Sequence, residues 1–276
     1  MNRLNALRKS AGLSRSNLAE IMGVDFLEIA LAERGIGHVP FLFVMNVAEV
    51  LECTPQELFP ALAAHFAGLD PEAMSDNQLR EVLLSDENAK AFSEAGIDPD
   101  IARWFVIVKL KSGNERRYPV SSIERDKIMQ TLTSGSDMPF ILFMSDCRMV
   151  AIKISSISEL SFRNHASYAY FSSEESATKV VLVSERSPRP ETVIADPSGI
   201  FGSGFSDFMG AAMANEQRKF FVFAEDAGET LMNIDLVEAI EVPMGLLVPD
   251  LYEDDLPQTG SQVSETLEDM SVMGTA

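Results

Sequence analysis

Residues 13–35, LSRSNLAEIMGVDFLEIALAERG, restrict what this chain can fold into more than any other stretch. Ser14 offers a hydroxyl acceptor where a helix would begin, with Asn17 at the third helical position. Leu18 and Met22 then fall one turn apart on the same face. Gly23 can take the left-handed backbone that stops a helix. Asp25 can cap a second helix, with Ile29 and Ala32 facing inward and Gly35 closing it.

Two short helices with a glycine at the turn make a helix-turn-helix pattern, and the flanking residues extend it. Leu4 and Leu7 form the buried side of a first helix that ends near Gly12. Pro40 starts a fourth helix through Leu51. Thr54-Pro55-Gln56-Glu57 opens a fifth, with Thr54 as cap and Glu57 placed for a capping box. Residues 1–66 thus read as one small all-α domain. The order LNALRKSAGLSRSNLAEIMGV, IALAERG, VAEVLECTPQELF resembles the lambda-repressor/Cro-type helix-turn-helix family, often called XRE. The matching positions are Leu7, Arg8, Gly12, Leu13, Ser14, Leu18, Ala19, Gly23, Val24, Ile29, Glu33, Gly35, Ala48, Leu51, Pro55, Leu58 and Phe59. The resemblance covers only this N-terminal stretch, and it implies five helices and DNA binding as a homodimer.

In that family the start of the second helix and the exposed face of the third carry the DNA contacts. Carried onto this chain, the positions are Ser14, Arg15, Ser16, Asn17, Phe26, Leu27, Glu28, Leu31 and Arg34. Arg15 can reach a phosphate or a guanine edge, and the amides around Ser14 suit a phosphate. Arg34 suits a further backbone contact. The third helix argues the other way. Leu27 and Leu31 lie one turn apart with Phe26 at their edge, and Glu28 adds negative charge. Apolar side chains supply none of the bidentate base pairings worth ~1–3 kcal/mol each. Phe26, Leu27 and Leu31, with Phe41 and Phe43, form a candidate protein interface, since one face of a small domain cannot bury the whole run 41–45. Two readings therefore stay open. One is a dimeric DNA-binding transcription regulator; the other is a helix-turn-helix module used for dimerisation or partner docking.

Downstream the texture changes. Residues 67–102 read as a partly helical connector, with short helices at 76–85 and 87–95 and a turn at 96–100. Strands begin at Trp104, a helix is expected over 122–133, and more strands follow. At a constant offset of 80, Phe140, Phe143, Asp146 and Ile154 meet Phe220, Phe223, Asp226 and Ile234. That recurrence predicts two α+β repeats, 103–165 and 166–246, packed as a pseudo-twofold pair. The expected fold class is therefore multidomain. An all-α helix-turn-helix domain precedes a duplicated α+β module for assembly or ligand sensing, and an acidic disordered tail covers 247–276.

Charge bears on the DNA reading. The formal net charge is −20, whereas phosphate binding draws its affinity from basic patches. Acid is concentrated at the end of the chain: seven acids and no base from Asp250 onward. Residues 103–127 carry seven bases against three acids, which reads as the charged outer face of a sheet or as an auxiliary surface for nucleic acid or an anionic ligand, and as a possible dock for that tail. No apolar run approaches the ~20 residues that cross a bilayer, and no signal stretch opens the chain, so a cytoplasmic location is expected. Cys53 and Cys147 have no metal or redox spacing. His38, His65 and His165 are scattered and read as ordinary histidines. The run 199–205, GIFGSGF, lacks the residues of a phosphate loop, and Asp146 and Asp226 read as hairpin-turn residues. No catalytic group, cofactor or metal is indicated.

Overall fold

A computed structural model describes residues 2–67, 69–71, 73–135, 138–165, 179–185, 190–194, 208, 220–225 and 228–252. The run 199–205, Asp226 and the acidic tail beyond Tyr252 lie outside these residues.

The N-terminal helices are α1 (Leu4–Ser10), α2 (Arg15–Met22), α3 (Phe26–Arg34), α4 (Phe41–Val50), α5 (Pro55–Leu58) and α6 (Ala63–Phe66). Local chemistry places their ends. The Ser14 side chain accepts from the Asn17 amide at α2, and Asp25 accepts from Leu27 at α3. Gly23 and Gly35 take φ of 65° and 66° at the two C-termini. Thr54 and Glu57 close a reciprocal capping box on α5.

These helices do not make a self-contained all-α domain, and the expected fold class is corrected to mixed α/β. A short strand β1 (Val39–Pro40) pairs in parallel with β2 (Ile97–Asp98). Helices α7 (Asp76–Leu83) and α8 (Asp86–Glu94) send Leu79, Leu83 and Phe92 into the same core as Leu18, Ile29 and Phe41. The segment expected to be a connector is therefore core. The physical reason is the apolar run of α4: Phe41 stacks on Phe66 at 6.0 Å and meets Phe92 edge-on at 5.7 Å. Burying both sides of that helix requires α8.

The C-terminal strands are β3 (Arg103–Leu110), β4 (Glu115–Val120), β5 (Phe140–Ser145), β6 (Arg148–Lys153), β7 (Ile157–His165), β8 (Lys179–Ser184), β9 (Glu191–Ile194), β10 (Phe220–Glu225), β11 (Gly228–Asn233) and β12 (Val237–Pro243). Helix α9 (Ser122–Thr133) follows β4, and α10 (Met244–Leu247) follows β12. The offset of 80 carries β5 onto β10 and β6 onto β11, with a short 3-10 turn next in both places. Each stretch has a three-stranded antiparallel unit, β4-β3-β7 in the first and β9-β8-β12 in the second, and a hairpin, β5-β6 in the first and β10-β11 in the second. One antiparallel sheet runs β5-β6-β12-β8-β9, so a strand from the later stretch lies between strands of both. A second sheet runs β4-β3-β7.

The two larger sheets share a core of Val106, Val108, Tyr118, Ile128, Phe143, Ile152 and Ala239. On the other face of the five-stranded sheet lie Phe140, Val180, Phe208 and Val242. With apolar cover on both faces, β12 is buried along its whole length. Its two acids reach the β3–β4 hairpin. Glu241 accepts from Arg116 and Tyr118, and Glu238 accepts from the Ser112 amide at 3.2 Å. The basic segment 103–127 is largely paired with the folded body's own acid: Arg103 with Asp146, Lys109 with Glu159, Arg116 with Glu241, Arg125 with Asp126 and Lys127 with Glu124.

Candidate functional site

Helix α3 is built to be covered on two sides. Its sequence FLEIALAER places Ile29 and Ala32 in the helical core, while Leu27, Ala30 and Leu31 form a second apolar surface. That second surface packs against Met244, Leu251, Met144, Cys147 and Met149. The cover comes from the β5–β6 hairpin and the segment after β12. The Met244 amide donates to the Cys147 carbonyl at 2.7 Å, which ties the two covering pieces together. Arg34 donates to the Asp250 carbonyl at 3.0 Å, at the rim.

The residues expected to meet DNA are thus placed unevenly. Leu27 and Leu31 are 3% and 5% exposed. Arg15 is buried in an ion pair with Glu33 at 2.6 Å, and Arg8 reaches the same carboxylate at 2.5 Å. Ser14 is spent on its own helix cap. Phe26 is half-buried between the two apolar clusters, and Glu28 is half-buried at the cover. Ser16 and Asn17 are exposed, and Arg34 is exposed but engaged by Asp250. Phe41 and Phe43, expected as interface residues, are instead core.

Beneath the α3 cover lies a cavity of about 110 Å³. It is walled by Glu28 and Leu31 of α3, His38 and Pro40 near β1, and Asp98 and Arg103 around the start of β3. Ser121, Glu124, Met144 and Asp146 complete it. A wider groove, sharing His38, Glu124 and Met144, opens beside it toward Gly37 and Lys127. Gly37 has φ of 76°, and a side chain there would meet Met144 Cε at 2.9 Å.

Most polar groups at this cavity are already committed. Asp98 accepts from the Ser122 amide at 2.7 Å, the Ser122 hydroxyl at 2.5 Å and the Asp100 amide at 3.1 Å, so it caps α9. Burial pushes its carboxyl up to about 6 despite those bonds. Next to it, burial raises Asp100, but bonds from Arg80 and Trp104 outweigh that and hold it below the ordinary carboxylate range. Glu124 accepts from Lys127 and from the Met144 amide. Asp146 sits at the β5–β6 turn with φ of 47°, a backbone that Asp tolerates, and accepts from Arg103 at 2.7 Å.

Glu28 and His38 differ. Burial, and then Asp146, push the Glu28 carboxyl up to about 8. No hydrogen bond from another described residue reaches that carboxyl. His38 Nδ1 is enclosed with no hydrogen-bond partner among the described residues. Burial, with Lys127 nearby, holds this imidazole below its usual range. From sequence His38 reads as an ordinary histidine, Asp146 as a turn residue and Glu28 as a negatively charged position on the DNA-facing side of the third helix. One signal was present: Glu28 is the sole acid inside FLEIALA, a stretch otherwise fit for burial.

Among the described residues, no group of three or more His, Cys, Asp or Glu side chains is arranged to hold a metal ion, and no helix is long and apolar enough to cross a membrane. No protein-family model, curated protein or solved structure matches this chain.

Proposed function

We propose that this chain is a non-enzymatic regulatory protein that works by protein contact, with the third helix of its helix pair docked on the chain's own residues 244–251 rather than reading DNA sequence. The observation that carries this reading is the burial of Leu27 and Leu31 against Met244 and Leu251. A base-reading helix has to present that face to the major groove. The burial of Arg15 with Glu33 removes a second contact from the DNA set. The committed states of Asp98, Asp100 and Glu124 support a structural rather than a catalytic use of the polar groups. Cys53 and Cys147 are both free, which fits a reducing compartment and a cytoplasmic location. Assembly as a homodimer remains part of the proposal, and sedimentation of the full chain tests it.

A transcription regulator acting on DNA is the second reading. Ser16 and Asn17, exposed at the start of α2, favour it, and it requires the cover on α3 to leave. One experiment separates the two. Fluorescence anisotropy of the full chain and of Leu251→Asp is read against genomic and random DNA across salt. Docking predicts weak, sequence-blind binding by both proteins. Sequence-selective binding that appears or strengthens in Leu251→Asp would establish a DNA reader held under a cover.

A further inference from the structure

The cavity under α3 joins a partly open volume with unspent hydrogen-bonding capacity. Its apolar wall is Leu31, Phe43 and Met144. Its fully bonded acids need nothing more, since Asp98 and Glu124 have amide, hydroxyl and ammonium donors. Two residues of its lining keep unspent capacity: Glu28, whose carboxyl no described residue bonds, and His38, whose Nδ1 is enclosed without a partner among the described residues. A buried polar atom without a partner is costly, and a bound molecule that satisfies it recovers that cost.

We propose that this cavity is a binding site for a small alkylammonium compound, its charged nitrogen donating to Glu28, its polar neighbour group meeting His38 and its short apolar body lying on Leu31, Phe43 and Met144. The charge balance selects the class. Arg103 is already paired with Asp146, so an anion would enter beside Glu28 and Asp146 with no further Lys or Arg among the described lining residues to meet it. A neutral alcohol can bond the protonated Glu28 carboxyl but gains nothing from the negative charge that Asp25 and Asp146 place around it. The ammonium instead lets that carboxyl ionise, and the proton it held leaves to solvent. The groups bearing on Glu28 are Asp25 from its own helix, and Asp146 and Arg103 from the strands packed against it. The volume limits the body to a few carbons, since about 110 Å³ holds several waters and no large ligand. The site rests on the covered state of α3 that the docking reading describes, since Met144 and Asp146 of the covering hairpin wall it.

The test is isothermal titration calorimetry on the full chain with methylammonium, n-butylammonium, ethanolamine, n-butanol and acetate. Ethanolamine and n-butylammonium should saturate one site and release a proton, detected as a dependence of the heat on buffer ionisation. Glu28→Gln should weaken binding by roughly tenfold or more, the effect of losing a charged hydrogen-bond partner. His38→Phe should lower the preference for ethanolamine over n-butylammonium. Circular dichroism establishes that each variant is folded, and Met144→Trp, which fills the cavity from its apolar wall, should abolish binding. Absence of saturable binding by any ammonium at millimolar concentration, equal affinity in folded Glu28→Gln, or preference for acetate would each overturn the proposal.

Discussion

Glu28 carries an unusual burden for one residue in a nine-residue helix. Its carboxyl is held in the acid form by burial and by Asp146, with a folded-state value of about 8 against an ordinary 4.5. Between those values the folded chain binds a proton that the unfolded chain has lost, so stability falls as pH rises through the window. The upper limit of that slope is about 1.4 kcal/mol per pH unit. Glu28→Gln removes the ionisation: it should be close to wild type at pH 5 and more stable at pH 8, read from urea midpoints. Parallel pH profiles for the two proteins would count against this account. Glu33 shows the opposite arrangement, a buried carboxylate fully used by Arg8 and Arg15. Glu33→Ala takes the shared carboxylate from two buried guanidinium groups and should cost about 3–5 kcal/mol by chemical denaturation. A loss below 1 kcal/mol would mean that water already reaches the pair.

At the scale of the element, α3 is a helix with two partners. Ile29 and Ala32 face the helical core while Leu27 and Leu31 face residues 244–251. Its ends were legible from local chemistry, because Asp25 and Gly35 act through bonds and backbone angles within a few residues. Which leucines are buried was not legible. Periodicity reports that a face is apolar, and the same Leu27–Leu31 spacing suits solvent-side contact with a partner or cover by a distant segment. Leu31→Ala should cost roughly 2–4 kcal/mol, the range for truncating a buried leucine. It should also speed proteolysis between 244 and 252, as measured by mass spectrometry of limited digests. An exposed leucine would show neither effect.

For the whole molecule, the consequence is shared stability. The core around α4 needs Leu79, Leu83, Phe92 and Ile97, all beyond residue 66, and α3 needs the segment after β12. A fragment of residues 1–66 should therefore fail to give a cooperative thermal transition by circular dichroism, while the full chain unfolds its N-terminal helices and its five-stranded sheet together. A sharp, reversible transition in the fragment would restore the autonomous helical domain. β12 has the corresponding role at the other end. Its Glu241 links two sheets through Arg116 and Tyr118, with Arg148 at 3.9 Å.

By itself the sequence determined the capped ends of α2, α3 and α5, the Asp146 hairpin turn and the spacing of 80 between recurring strands. All of these follow from interactions over a few residues or from repetition along the chain. Only the tertiary structure decided that the helices share one body with the sheets, that β12 crosses between the two stretches, and that α3 turns its second apolar face onto Met244 and Leu251. Those outcomes depend on how much apolar area remains uncovered after local structure forms. That quantity belongs to the whole chain, because the surfaces that cover one another here lie more than two hundred residues apart.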